Sequence, residues 1–128
     1  MPPYALALSV RQPWAWALCA GQKDIENRTW LTDYRGTIWI HAASKPLDPI
    51  ALQWVAAHCH ARLPPDWTTG ALIGSVHLTD IAPTSPSPWY IPGHYAWIVT
   101  RPRLLRTPIP VRGGRRLFPI ATAILRGG

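Results

Sequence analysis

Fifteen prolines and nine glycines are scattered through 128 residues, and this punctuation limits what the chain can build. Proline removes a hydrogen-bond donor and clashes with the preceding turn of a helix, and glycine loses the most backbone freedom on ordering. Long helices are thereby excluded, and short strands joined by turns are favoured. The chain is 48% hydrophobic, enough for a real core, and its length suits one domain spanning residues 1–128. At 15% charged residues it is neither a disordered tail nor a charged helical bundle.

Hydrophobic periodicity fills in the elements. Residues 4–10 are short and apolar and read as a strand. Residues 12–21 carry helix punctuation, with Pro13 at the start and Gly21 just past the end. Residues 23–30 and 37–42 read as strands, the second with Ile38, Ile40 and Ala42 on one face and Trp39 and His41 on the other. Asp48 and Pro49 open a second helix that runs to about Ala61 and stops before Pro64-Pro65. A strand over 70–79 contains Gly74, which marks a bend or a close backbone approach. Residues 83–92 are too rich in proline for regular structure. Strands follow over 95–100 and 118–125. Between them, Pro102, Pro108 and Pro110 suit an edge strand or extended backbone. About six strands and two covering helices predict an α+β fold, mainly β, in the form of a small closed or partly closed β-barrel.

The eight tryptophans are chiefly core fillers, because the indole buries so much area. Trp16, Trp39, Trp54 and Trp97 are expected in the core. Trp14, Tyr34, Trp89 and Tyr90 are expected to be exposed.

Residues 21–30 (Gly-Gln-Lys-Asp-Ile-Glu-Asn-Arg-Thr-Trp) concentrate charge. They hold the only glutamate, Glu26, and one of two lysines, Lys23. Side chains alternate along a strand, so Glu26 and Arg28 project to the same side. Two cations and one carboxylate lining a cavity would suit a phosphate or another anionic group, Arg28 with a planar donor fork and Lys23 with a mobile point charge. On an open surface the same residues would be an ion pair of little consequence.

Charge is distributed unevenly. The six Lys/Arg before residue 81 balance all six acids, and the seven cations beyond it are all arginine. The whole formal excess of +7 therefore sits in the last third, a field that attracts polyanions such as nucleic acid. Two cysteines do not make a disulfide framework, no signal peptide is evident, and no apolar run is long enough for a bilayer. These features predict a cytoplasmic protein with reduced thiols and no membrane partner.

Four blocks of sequence resemble the ASCH domain family in order and spacing. They are Ser9-Val10-Arg11-Gln12-Pro13-Trp14-Ala15, the 21–30 stretch with its complete G-x-K-x-x-E-x-R signature, Tyr34-Arg35-Gly36, and Ile40-His41-Ala42. The later runs 70–76 and 108–113 are similar as well. The resemblance implies a PUA-like β-barrel with a cleft built around the signature. It also implies membership of a group that includes RNA-binding modules, transcription-coactivator domains and small hydrolases (an N4-acetylcytidine amidohydrolase and a ribonuclease). In the amidohydrolases a threonine nucleophile stands where this chain has Glu26, which removes the attacking hydroxyl here, while a lysine matching Lys23 supports it.

The leading expectation is an RNA-binding protein whose cleft holds a nucleotide or modified base. Lys23, Glu26 and Arg28 line the cleft, Ser9, Trp14, Tyr34 and Arg35 assist, and Arg112, Arg115 and Arg116 contact phosphates. DNA is a possible second ligand. The rival is a hydrolase with Lys23 or Glu26 as base, and with Ser9 or Thr29 as nucleophile only if the fold brings them in. A third reading is a protein-interaction domain whose basic tail meets an acidic partner. His58-Cys59-His60 does not form a metal site, since neighbours on a helix diverge, so neither metal nor cofactor is expected. Gly113-Gly114 reads as a hairpin turn flanked by arginines.

Overall fold

The computed structural model describes residues 2–126. It contains β1 (Tyr4–Arg11), α1 (Trp14–Cys19), β2 (Ile25–Arg28), β3 (Gly36–Ala43), α2 (Pro49–His58), β4 (Ala71–Ala82), β5 (Tyr95–Pro110), β6 (Leu117–Ala121) and a final 3-10 turn (Thr122–Leu125). The six strands form one mixed sheet in the order β2-β5-β4-β3-β1-β6. β1 and β3 run parallel, and every other pairing is antiparallel. The fold is the expected α+β arrangement of six strands and two helices.

Backbone hydrogen bonds do not close the sheet, since β2 and β6 are both edges. Side chains bridge the gap instead. Arg28 at the end of β2 donates from Nη2 to the carbonyl of Ser9 in β1 at 2.9 Å. Arg116, one residue before β6, lies over the Trp30 ring with its guanidinium carbon 5.2 Å from the centroid. The sheet is thus curled enough for its two ends to meet through arginines.

The concave side holds the main core. Leu8, Val10, Ile38, Ile40, Val76, Leu78 and Trp97 pack there against Ala15, Trp16, Leu18 and Cys19 of α1 and Val55 of α2. Gln12 caps α1 from outside, its Oε1 accepting from Trp16 N at 2.9 Å and its Nε2 donating to Thr68 O at 3.0 Å. Gly21 follows the helix with φ +77, the left-handed conformation that ends helices. Asp48 caps α2 by accepting from Ile50 N at 2.9 Å.

Gly74 is the expected close approach. A Cβ there would collide with the Arg103 carbonyl oxygen and lie 2.8 Å from Cys19 Sγ, so only glycine lets β5 and α1 converge on β4 at this point. The thiol of Cys19, sealed beneath it, is pushed well above its ordinary pKa by burial.

Several elements differ from expectation. β5 continues through the arginine-rich segment to Pro110, because β2 pairs only with Tyr95–Ile98 and leaves the rest of β5 unpaired on that side. Prolines are tolerated where a strand has a free side, and an extra residue is absorbed at Arg101, which adopts φ 49. Residues 122–125 form a turn and not a strand. Residues 111–116 are no hairpin, since β5 and β6 are not neighbours; this segment crosses β3 and β1 on the convex side of the sheet. Gly113 sits against Ser9 and His41, and Gly114 against Phe118, in both cases where a Cβ would clash. Beneath this crossing lies a second small core of Ala7, Leu72 and Ile120 with Trp39, Leu105, Ile109 and Phe118.

Two tryptophans exchange their expected roles. Trp89, in the proline-rich loop, is buried, and Trp54 is 41% exposed. α2 buries only Ala51 and Val55, which turns Trp54 to its flank, where it stacks on His58 one turn later with centroids 3.7 Å apart. Trp89 is drawn inward because its carbonyl is held by the Asn27 amide of β2.

Candidate functional site

A cleft of about 380 Å³ opens where β2, α1, α2 and the 83–94 loop meet. Its lining is Trp14, Lys23, Glu26, Asn27, Trp54, Pro88, Trp89, Tyr90, Ile91 and His94. The volume falls at the lower end of small-molecule sites, roughly 300–1,000 Å³.

Lys23 and Glu26 are only 4% and 7% exposed. Glu26 Oε1 accepts from Lys23 Nζ at 2.6 Å, and Oε2 accepts from Arg28 Nε at 3.0 Å, with Arg28 Nη2 at 2.8 Å. Burial pushes the Glu26 carboxyl up, but the charges of Lys23 and Arg28 and their hydrogen bonds outweigh it, holding the group below its ordinary range. Glu26 is therefore an anion held between two cations, and the trio carries one net positive charge. Its oxygens are engaged. Lys23 differs: an ammonium has three donors, and among the described residues Glu26 is its one hydrogen-bond acceptor. Its Nζ also lies 5.7 Å from the Trp14 centroid, at cation–π distance.

The proline-rich loop is the far wall. Asn27 Nδ2 donates to Trp89 O at 2.9 Å, and its Oδ1 accepts from Ile91 N at 2.9 Å, so both ends of the amide clamp the loop. Ser87 Oγ donates to Asp24 Oδ1 at 2.6 Å. The Tyr90 hydroxyl lies within bonding distance of the Pro83 and His94 carbonyls, at 3.0 and 2.8 Å. His94 Nδ1 is buried with no hydrogen-bond partner.

The sequence-predicted residues separate into four groups. Trp14, Lys23 and Glu26 line the cleft, and Arg28 stands behind them, tying Glu26 to the Ser9 carbonyl. The Ser9 hydroxyl faces elsewhere, 2.9 Å from His41 Nδ1 on the convex side. His41 Nε2 contacts the Val111 carbonyl at 2.9 Å, which can only accept, so Nε2 carries the proton and Nδ1 accepts from Ser9. Burial lowers the His41 pKa against the opposing pull of that carbonyl, keeping the ring neutral.

Tyr34 and Arg35 are bonded within their own turn. The Tyr34 hydroxyl donates to Thr37 O at 2.7 Å, and Arg35 Nη1 donates to Thr32 O at 2.8 Å. Arg112, Arg115 and Arg116 lie exposed on the crossing segment and outside the cleft lining, with Arg116 over the Trp30 ring. Among the described residues no cluster of His, Cys, Asp and Glu is placed to hold a metal, and no helix is long and apolar enough to cross a membrane.

Sequence reasoning missed Trp54, Asn27 and His94. The spacing of Trp54 and His58, one helical turn apart, would have placed the two rings on a shared face. Nothing local marked His94.

Two known proteins are similar to this chain over most of its length. Human activating signal cointegrator 1 is 29% identical over 139 aligned residues, covering 94% of this chain, and its mouse counterpart is 27% identical over 133. The chain spans about a quarter of the length of these relatives, 23% in each case. The profile of the ASCH domain matches residues 8–95, a range that takes in Ser9, Trp14 and the whole Lys23–Glu26–Arg28 trio, and the chain belongs to the ASCH domain family.

Proposed function

We propose that this chain is a single-domain RNA-binding protein of the cytoplasm. The cleft holds one nucleotide or modified base, and the arginines of β5 and the crossing segment contact phosphates. The observation that carries this reading is Lys23, a buried ammonium with unspent donors at the end of an aromatic cleft. Its charge and that of Arg28 exceed the single charge of Glu26, which favours an electron-rich ligand. Aromatic walls beside donors are what unstacked bases require. Arg101, Arg103, Arg106, Arg112, Arg115 and Arg116 are exposed and add a sequence-independent attraction.

The test is binding of a short single-stranded RNA across a salt series, beside a DNA of the same sequence. With about four phosphates neutralised, log affinity falls against log salt with a slope of roughly −3. Affinity that ignores salt, or that survives Lys23→Met unchanged, contradicts the reading.

A hydrolytic activity has less support. The cleft lining includes no serine, threonine or cysteine, and the Ser9 hydroxyl is committed to His41 outside it. Glu26 is a weak base for activating water, because Lys23 and Arg28 stabilise its anionic form. Unchanged RNA and unchanged N4-acetylcytidine after prolonged incubation are the expected results.

A further inference from the structure

The cleft is built from flat walls, and their arrangement bears on what part of a nucleotide enters it. Trp14 and Trp54 both stand almost perpendicular to Trp89, at interplanar angles of 88° and 78° and centroid distances of 6.3 and 6.5 Å. His58 stacks on Trp54 at 18° and fixes its ring, which is otherwise 41% exposed. Three indoles beside a carboxylate resemble a cage for a methylated ammonium. The charges exclude that ligand: both Glu26 oxygens are paired, and Lys23 would repel a cation.

A free phosphate fits poorly as well. Most of the lining is aromatic or apolar, and desolvating an anion among indoles costs more than one lysine repays. A neutral planar ring meets neither penalty. It stacks on indole faces, and its edge reaches Lys23, which only donates.

Resting on the nucleotide reading above, we infer that the cleft takes the base rather than the phosphate, stacked on Trp54 with a ring carbonyl on Lys23 Nζ, and so selects bases that carry a carbonyl. Uracil, cytosine and guanine have that oxygen. Adenine lacks it and is disfavoured. The sugar and phosphate remain outside the cleft. Trp54 acts as a stacking platform and Lys23 as the residue that discriminates.

The experiment titrates the full chain with uridine, guanosine and adenosine 5′-monophosphates and with ribose 5-phosphate, by tryptophan fluorescence and equilibrium dialysis. Uridine and guanosine monophosphates are expected to bind about tenfold tighter than adenosine monophosphate, and ribose 5-phosphate tenfold weaker than uridine monophosphate. Trp54→Ala removes an exposed rim side chain, so the fold is kept. It should weaken uridine monophosphate about tenfold and leave ribose 5-phosphate unchanged, in line with stacking energies of roughly 1–3 kcal/mol per base. Lys23→Met should abolish the preference over adenine; should that variant unfold, the Trp54 result decides alone.

Equal binding of adenosine and uridine monophosphates overturns the inference, as does a Trp54→Ala variant that binds like the wild type. Ribose 5-phosphate binding as tightly as uridine monophosphate overturns it in favour of an anion site. Single-stranded RNA that binds with a steep salt slope while no mononucleotide binds overturns it and leaves the RNA-binding reading standing. Loss of both kinds of binding removes the two together.

Discussion

At the scale of single residues the Lys23–Glu26–Arg28 trio decides most. Removing one partner of a buried charge group leaves the others uncompensated. Glu26→Gln, which abandons two cations, should therefore cost about 3 kcal/mol of stability, read as a shift of the urea midpoint at unchanged slope. The trio also sets an acid limit. The folded Glu26 titrates below its ordinary 4.5, so its pairing contributes fully at neutral pH and is lost as pH falls below 4.5 toward its own lower value. Glu26→Gln should flatten that part of the stability profile; an unchanged acid slope would contradict the pairing. The scarcity of charge in the sequence exposed this trio, because the sole glutamate beside one of two lysines stands out. That Arg28 would point past Glu26 to the Ser9 carbonyl was not legible. Such a contact depends on how far the sheet curls, which no local pattern encodes.

Among the elements, β4 and the crossing segment carry the sharpest expectations. Gly74→Ala drives a methyl group into the Arg103 carbonyl and Cys19, and backbone cannot yield cheaply, so a loss of about 3 kcal/mol is expected. A thermal midpoint within a degree of the wild type would show the packing to be looser than described. The crossing segment offers a pH test. His41 has its pKa lowered in the fold, so its neutral form supports stability above the ordinary 6.5, and that support is lost as pH falls below 6.5. His41→Gln should remove this step while leaving the lower one, due to Glu26, in place. Gly74 was readable from sequence because a glycine inside an apolar strand weakens it, and is tolerated where a bend or a neighbouring backbone needs the room. Trp54 and Trp89 were not. Their burial is set by the Asn27 amide clamping a loop 62 residues away and by a helix that buries only two side chains, and both are tertiary facts.

Across the whole molecule, composition had already narrowed the class of fold. Frequent proline and glycine, two short apolar helices and six strand-like runs leave little beyond a curled sheet with covering helices. The edges were less predictable. The open edges are bridged by Arg28 and Arg116 side chains and not by a sixth pairing between β2, only four residues long, and β6. The charge asymmetry was legible as a count, and the fold gives it a location: six of the seven arginines after residue 100 lie on β5 and the crossing segment, apart from the cleft lining. On the proposed reading, base recognition and phosphate attraction fall to different surfaces. Screening should reveal this: at high salt, RNA affinity falls while the preference among bases persists.

The most direct measurement is a two-dimensional amide and indole NMR spectrum, recorded as a short uridine-rich RNA is added. The account predicts that the indole signals of Trp14, Trp54 and Trp89 and the amide signals of residues 23–27 move together, saturating at one RNA per chain. If those signals stay fixed while only residues 101–116 shift, the cleft is not the ligand site.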